Sequence, residues 1–257
     1  MRRPITIILT LLALALPVTT LRAALLEGSG QADVLIGRDE DNTDNTLIQP
    51  PGTAADQSLS NGDVLLGNDG NDILIGLLGN DALHGGPKDD ILIGGTEQGS
   101  RPNSDIIVGD AGNDINIWAP GDGSDAFIGG LGRRDVLIFG VIDRDANNVP
   151  IVSEVSSGPH RRTGVPTANL SGSPGFCTLE RVTDPNLGFE FLVRFFVRAS
   201  GALAVTIRTS EVEQVFCTSQ AGGAITFADL TEANPAFVEV SLEEVERRNR
   251  TVVQIVR

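Results

Sequence analysis

The sequence predicts an all-β protein in which a solenoid of stacked parallel strands precedes an antiparallel β domain. Acids and glycines recur every nine residues through much of the first half of the 257-residue chain, and such a fixed period is typical of a solenoid. Short apolar triplets lie between the acids and glycines. From residue 141 the period is lost and alternating apolar runs follow, a pattern that favours antiparallel strands. We therefore expect three parts: a leader at 1–23, a solenoid at 24–140 and a β domain at 141–257.

The nine-residue period is clearest between residues 61 and 95. Four aspartates stand nine residues apart, each followed by a leucine two residues later and a glycine four residues later. The acids are Asp63, Asp72, Asp81 and Asp90, the leucines are Leu65, Leu74, Leu83 and Leu92, and the glycines are Gly67, Gly76, Gly85 and Gly94. Glycine permits positive φ, and Asp and Asn also favour turns. Each unit therefore predicts a turn and then a short strand whose leucine points inward.

Two units make one coil of eighteen residues, and successive coils would stack as parallel strands about 4.8 Å apart. Acids one coil apart then share an edge, Asp63 with Asp81 and Asp72 with Asp90. Neighbouring carboxylates repel each other, and burial would force one of them to take a proton. A divalent cation removes this repulsion, and Ca²⁺ accepts about six to eight oxygen ligands, carbonyls included. The sequence therefore predicts Ca²⁺ as a cofactor; a metal-free solenoid with turn-forming acids is the alternative.

Two segments, GNDGNDILI at 67–75 and GGPKDDILI at 85–93, follow the pattern G-G-x-G-x-D-x-U-x most closely. The sequence resembles the RTX (haemolysin-type) family of calcium-binding nonapeptide repeats. The resemblance implies a right-handed parallel β-roll in which each ion lies between two turns on the same edge, bound by two aspartates and by backbone carbonyls. On one edge it implies the ligands Asn68, Gly70, Asp72, Gly85, Pro87 and Asp90. On the opposite edge it implies Asn61, Asp63, Gly76, Leu78 and Asp81.

The period continues on both sides of this region, with interruptions. Asp33 precedes the regular copies, and four further candidate metal ligands follow them: Asp105, Asp114, Asp125 and Asp135. Asn116 takes the place of an inward apolar residue, and two arginines stand next to Asp135. We expect about four to six calcium ions. The acidic segment 38–60 is expected to be a solvated insertion between coils, with an extra calcium loop as the alternative.

The charge of the chain is concentrated in its first half. Residues 28–140 contain 19 acids and 5 basic residues, whereas residues 141–257 contain 14 acids and 11 basic residues. Bound calcium would neutralise the acidic half. Nucleic acid is excluded as a partner, because phosphate binding requires basic patches.

The N-terminal segment 1–23 has the pattern of a secretory signal peptide. Arg2 and Arg3 precede an apolar run at 5–16, and small residues follow near Ala23. This run is shorter than the roughly 20 residues that span a membrane, although a membrane anchor is the alternative. No other stretch is apolar enough to cross a membrane. We expect a secreted or cell-surface protein, with the periplasm also left open.

The second half contains five strand-like runs, at 189–197, 202–209, 212–216, 237–242 and 251–256. Residues 241–249 could instead form a short helix capped by Ser241. We expect this half to cover the open end of the solenoid. Cys177 and Cys217 are the two cysteines, and in an exported chain they are expected to form a disulfide. A catalytic thiol is the alternative.

The sequence lacks the HExxH motif of zinc proteases and the G-x-S-x-G motif of serine hydrolases. We therefore expect a structural or adhesive role, with a cell-surface or matrix component as partner, and leave the question of an enzyme open. The alternative is a hydrolase whose site lies in residues 141–257 and whose solenoid serves as stabiliser. Substitution of Glu180 or Asp184 would test that alternative.

Overall fold

Two eight-stranded sheets run through the protein, and each changes from parallel to antiparallel along its length. The computed structural model describes residues 25–37, 62–95, 104–146, 149–152 and 166–256. Sheet A begins with the strand at Leu25–Glu27 and sheet B with the strand at Val34–Ile36, and the strands below are numbered in chain order. The predicted signal peptide at 1–23 and the insertion at 38–60 lie outside the described residues.

The first ten strands alternate between the two sheets, as stacked coils require. In sheet A these are β1 (Leu25–Glu27), β3 (Val64–Leu66), β5 (Ala82–Pro87), β7 (Ile106–Ala111) and β9 (Ala126–Ile128). In sheet B they are β2 (Val34–Ile36), β4 (Ile73–Leu77), β6 (Ile91–Gly95), β8 (Ile115–Trp118) and β10 (Val136–Phe139). All neighbours within each set are parallel. The predicted parallel β-roll is confirmed.

The inward leucines of the repeats form the interior of the roll. Leu65 pairs in register with Leu83, and Leu74 pairs with Leu92, which gives the predicted spacing of eighteen residues per coil. All four side chains are fully buried between the sheets. Burial of each leucine contributes roughly 1.5–3 kcal/mol relative to exposure, so a short strand is stabilised by stacking rather than by its own length.

The second half of the chain extends both sheets. Sheet A gains β13 (Gly175–Arg181), β14 (Phe191–Val197) and β15 (Leu203–Ser210), and sheet B gains β16 (Gln214–Thr218), β17 (Ile225–Asp229) and β18 (Val238–Val240). β15 is parallel to β9 and β16 is parallel to β10, and the remaining pairs are antiparallel. A separate antiparallel pair joins β11 (Val141–Ile142) to β12 (Ala168–Asn169). The antiparallel strands predicted for this half are present, and the sheets continue without a break past residue 140.

Two short helices end the chain, α1 (Leu242–Arg248) and α2 (Arg250–Ile255). The alternative of a helix capped by Ser241 is confirmed, since the Ser241 hydroxyl accepts a hydrogen bond of 3.2 Å from the Glu244 N–H. The strand predicted at 251–256 is wrong. Asn249 caps a helix there by accepting hydrogen bonds from the N–H groups of Thr251 and Val252, and this local capping overrides the β propensity of the valines.

The helices cover the outer face of sheet B. Val252 and Ile255 are fully buried in an apolar cluster with Ile75 and Ile93 of the roll. The isoleucines on either side of Leu74 and Leu92 are therefore also buried. The equivalent outer positions of sheet A are half-buried or exposed, as at His84 and Ile106. Among the described residues, no helix has both the length and the apolar composition needed to cross a bilayer.

The predicted disulfide between Cys177 and Cys217 is present and joins β13 of sheet A to β16 of sheet B. Next to it, the core of the roll continues into the second half through an aromatic cluster. The Trp118 ring lies 5.2 Å from that of Phe139 and 4.9 Å from that of Phe195, measured between centroids. These contacts fix the second half against the last coils of the roll.

Candidate metal sites

The acids of the repeats form two rows, one along each edge of the roll. The first row lies at the turns that lead from sheet A into sheet B, and the second lies at the turns that lead back. The first row is Asp33, Asp72, Asp90, Asp114, Asp135 and Glu213, and the second row is Asp63, Asp81, Asp105 and Asp125. The predicted pairs, Asp63 with Asp81 and Asp72 with Asp90, share an edge.

One hydrogen bond links each acid to the next in its row. The backbone N–H of Asp72 donates to Oδ1 of Asp90 at 2.7 Å, and the N–H of Asp90 donates to Oδ1 of Asp114 at 2.8 Å. The same contact joins Asp63 to Asp81 at 2.6 Å in the second row. Each such carboxylate is thus held at a fixed height between two turns by one of its two oxygens.

The second oxygen of five of the carboxylates in the two rows lies buried in the turn. Oδ2 of Asp72, Asp90, Asp114, Asp125 and Asp135 is buried and accepts no hydrogen bond from the described residues. Nearly all buried polar atoms in proteins have a partner, and a buried unpaired carboxylate oxygen is costly. Hard divalent cations bind carboxylate oxygens of this kind. The residues present therefore fit a row of such cations.

The turns leave room for the carboxylates because their first residue is glycine. A Cβ placed on Gly67 would lie 2.7 Å from Oδ2 of Asp72, and one on Gly129 would lie 2.7 Å from Oδ2 of Asp135. A Cβ on Gly67 would also collide with the carbonyl of Gly85 in the next coil. A side chain at this position would therefore fill the space beside the carboxylate.

The second residue of the turns repeatedly adopts a positive φ. The angle is 66° at Asn68, 74° at Leu77, 103° at Gly86, 70° at Asp110 and 102° at Gly130. Asn, Asp and Gly accept this conformation readily, whereas leucine does so at a cost. These five turns therefore share a left-handed backbone conformation at their second residue, even where that residue is leucine.

The structure places the carbonyl ligands implied by the family resemblance in adjacent stacked turns. Gly70 donates its N–H to the Pro87 carbonyl at 3.5 Å, and the Gly85 carbonyl stacks against Gly67. On the opposite edge, Gly76 and Leu78 lie in the turn that leads to Asp81. Asn61 lies outside the described residues. The role of each of these groups as a calcium ligand stays a prediction.

Burial raises the pKa of several acids in these rows. Burial raises the pKa of Asp90 to about 8 and that of Asp114 to about 9. The pKa values of Asp125 and Asp135 are raised to about 7 for the same reason. Without a cation, several of these side chains would hold a proton at neutral pH in the folded chain. A bound divalent cation would stabilise the ionised form instead.

Comparison with protein families finds four copies of a calcium-binding nonapeptide repeat, in residues 60–92, 77–97 and 102–115. Residues 60–115 carry RTX repeats. RTX repeats bind Ca²⁺, so calcium is the cofactor of this β-roll. Comparisons with curated proteins and with solved structures give no significant match.

The acid rows extend beyond the matched RTX repeats. Asp125 and Asp135 continue them after residue 115, as the sequence predicted. The sequence did not predict Glu213, which accepts the N–H of Asp135 at 2.7 Å and so occupies the next place in the first row. The sequence does contain a signal, because an apolar residue, Val215, follows this acid at the same two-residue spacing as in the RTX repeats. Its side chain points inward and is fully buried, as the leucines of those repeats are. Two differences from the repeats concealed it: the turn between β15 and β16 is short, residues 211–213, and glutamate replaces aspartate.

The second row ends differently. The strand β15 pairs with β9 and places Arg208 beside Asp125, where its guanidinium donates to the Ser124 carbonyl at 3.3 Å. A further acid that the sequence did not predict, Asp122, is buried in the turn just before Asp125. At Asp125, the last acid of the second row, the structure therefore adds a further acid, Asp122, and a basic side chain, Arg208.

Proposed function

We propose that this chain is an exported calcium-binding protein whose RTX repeats fold when they bind Ca²⁺, and that it has a structural or adhesive role at or outside the cell surface. The observation that carries the proposal is the pair of acid rows, in which five carboxylate oxygens are buried and accept no hydrogen bond from the described residues: Oδ2 of Asp72, Asp90, Asp114, Asp125 and Asp135. Each cation between two turns would neutralise two carboxylates.

Charge repulsion is the physical basis of calcium-dependent folding. Residues 28–140 hold 19 acids against 5 basic residues, and glycine-rich acidic segments of this kind do not remain compact without counter-charge. Because the unfolded chain has no preformed sites, the free energy of ion binding contributes directly to folding. Millimolar calcium outside the cell would therefore favour the folded roll.

Two features support export. The segment 1–23 has the charge and apolar pattern of a signal peptide. The disulfide between Cys177 and Cys217 fits an oxidising compartment, because cytosolic thiols are kept reduced. A cell-surface protein and a periplasmic protein would both meet these conditions.

The continuous sheets support a structural or adhesive role. Stacked coils joined to a disulfide-bearing half form a spacer whose rigidity depends on bound calcium. The acids that the hydrolase alternative singled out have structural contacts: Glu180 forms an ion pair with Arg194, and Asp184 accepts a hydrogen bond of 3.0 Å from the Asn186 N–H at a short 3₁₀ turn, Pro185–Leu187.

The decisive experiment compares the mature chain, residues 24–257, in millimolar calcium and in excess chelator. Far-UV circular dichroism is expected to show β structure that calcium increases, and calorimetry is expected to show uptake of several ions. Asp72→Asn should remove part of this uptake. Asp69→Asn removes the same charge from an exposed side chain that pairs with Lys88, and should leave uptake unchanged. A spectrum indifferent to calcium would contradict the proposal.

The biological role needs a separate test. Calcium-dependent binding of the mature chain to purified envelope polysaccharide would support adhesion. Hydrolysis of any substrate in a broad screen, lost on Glu180→Gln or Asp184→Asn, would replace adhesion by the hydrolase alternative.

A further inference from the structure

We propose that Asp122 supplies a third carboxylate to the cation site between Asp105 and Asp125, and that this site binds calcium more tightly than the two-carboxylate sites of the RTX repeats. The inference rests on calcium binding by the roll, but it concerns a turn outside the matched repeats. Asp122 lies in the turn at 119–125, which joins β8 to β9.

The geometry fits one ion. One carboxylate oxygen from each of Asp105, Asp122 and Asp125 lies within 4.8 Å of the other two, and all three side chains are buried. Calcium binds oxygen at about 2.3–2.6 Å, so two of its ligands are at most about 5 Å apart. Within the described part of the chain, this is the one group of three such side chains close enough to hold a metal ion.

A second observation points to a ligand. Oδ1 of Asp125 accepts the Asp105 N–H at 2.9 Å, whereas Oδ2 of Asp125 is buried and accepts no hydrogen bond from the described residues. The Asp125 side chain is 1% exposed. An ionised oxygen in that position requires a cation, because water cannot reach it.

The turn is held in place by its own contacts and by the core. The Asp122 N–H donates to the Ala119 carbonyl at 3.0 Å, and Oδ1 of Asp122 accepts the Gly123 N–H at 2.9 Å. The indole N–H of Trp118 donates to the Gly123 carbonyl at 3.0 Å. The site is therefore more rigid than a free loop, and rigidity together with ligand charge sets calcium affinity.

The charges also balance. Three carboxylates and one Ca²⁺ leave a single negative charge, and Arg208 lies beside Asp125 on the next strand. A third carboxylate strengthens the attraction for the ion, and Arg208 offsets the charge that remains. We therefore expect this site to fill before the others.

Trp118 makes the site separately observable, because it is the single tryptophan of the chain and is bonded to the same turn. Tb³⁺ is the probe: excitation of Trp118 should sensitise Tb³⁺ emission from an ion bound at this turn. In the mature chain we expect sensitised emission that saturates with about the first equivalent of Tb³⁺ and is displaced by calcium.

Asp122→Asn should weaken the Trp118-sensitised binding of Tb³⁺ by about tenfold or more, while calorimetry still shows the remaining calcium sites. Asp69→Asn, which removes an exposed carboxylate elsewhere, should change neither signal. Unchanged Tb³⁺ affinity in Asp122→Asn would overturn the inference. The absence of sensitised emission from the unsubstituted chain would also overturn it, even if calorimetry shows several calcium ions; no calcium uptake at all would instead defeat the proposed function.

A test on the unsubstituted chain remains decisive if Asp122→Asn does not fold. Calcium is titrated while the intrinsic fluorescence of Trp118 is recorded. A change completed within the first equivalent supports the inference. A change that develops only with the later equivalents overturns it, because the site would then not be the tightest.

Discussion

The backbone N–H of Asp135 donates a hydrogen bond of 2.7 Å to the side chain of Glu213, 78 residues further along the chain. This contact repeats the link between Asp72 and Asp90 inside the RTX repeats. The turn before Glu213 also contains a residue with positive φ, Glu211 at 56°, although it is the first residue of the turn and not the second as in the repeats. The first acid row therefore crosses from the roll into the half of the chain that has no repeats.

The first prediction concerns this crossing. Glu213→Gln keeps an oxygen that can accept the Asp135 N–H but removes the charge that a cation needs. We expect the loss of about one calcium ion and a fall in the stability of the calcium-bound form of roughly 1–3 kcal/mol. Calorimetry and thermal unfolding in calcium would measure the two effects.

Glu211→Gln is the matched control, because it makes the same change two residues away on an exposed side chain. Equal calcium counts and equal melting temperatures for the two variants would show that Glu213 has no part in ion binding.

The second prediction concerns pH in the absence of calcium. The pKa of Asp90 rises from an ordinary 3.8 to about 8 on folding, and that of Asp114 rises to about 9, in both cases chiefly through burial. Between about pH 4 and pH 8 the folded metal-free chain therefore binds more protons than the unfolded chain. Its stability should decrease as pH rises through this window, because linkage favours the state that binds more protons at low pH.

Calcium should reverse the trend. Protons compete with the cation for the same carboxylates, so calcium affinity should rise between pH 5 and pH 8. Thermal unfolding in chelator would test how the stability of the metal-free chain depends on pH, and calcium titrations over the same range would test the pH dependence of calcium affinity. A metal-free chain that becomes more stable from pH 5 to pH 8 would contradict the burial of these acids in the folded roll.

The third prediction concerns the buried side chain of Asn116. It lies between Leu92 and Leu137 in the interior of sheet B, and neither its Oδ1 nor its Nδ2 has a hydrogen-bond partner among the described residues. Asn116→Leu would restore the apolar residue of the repeat and should stabilise the chain by about 1–3 kcal/mol. Urea unfolding in calcium measures the change in the free energy of unfolding. The opposite change at the neighbouring position, Leu92→Asn, should lower the stability of the chain. A destabilised Asn116→Leu chain would show that the amide is satisfied in solution.

The fourth prediction compares two glycines. A Cβ on Gly67 would collide with the Gly85 carbonyl and crowd Asp72, whereas a Cβ on Gly30 would meet nothing within 4 Å. Gly67→Ala should therefore remove calcium uptake at this turn, and Gly30→Ala should leave it intact. Calorimetric ion counts on the two variants provide the measurement. Full uptake by Gly67→Ala would mean that the turn does not wrap the carboxylate as closely as the geometry requires.

Much of the roll could be predicted from sequence because its period is local. The positions of Leu65 and Leu83 follow from the eighteen-residue coil, and the edges of the acids follow from the same count. The outer face of sheet B was not predicted. Its isoleucines stand in strands of three to five residues, and only the packing of α2 shows that both faces of this sheet are buried.

The remaining differences arise from contacts distant in sequence. Glu213 meets Asp135 only because β15 and β16 return to the roll, and no local pattern records that return. Asp122 falls outside the nine-residue period and becomes visible only when the turn at 119–125 folds beside Asp105. The helix at 250–255 depends on a single cap, Asn249, which outweighs the β propensity of the residues that follow.

The covalent link between β13 and β16 fastens the two sheets to each other near one end of the stack. At the far end, β1 and β2 have no such fastening, and Leu25 and Ile36 there remain open to solvent. Chelation should thus fray the coils from the N-terminal side, since each coil is supported only by its neighbours. When calcium returns, the coils would refold in one direction, starting from the disulfide-linked end, which has stayed folded.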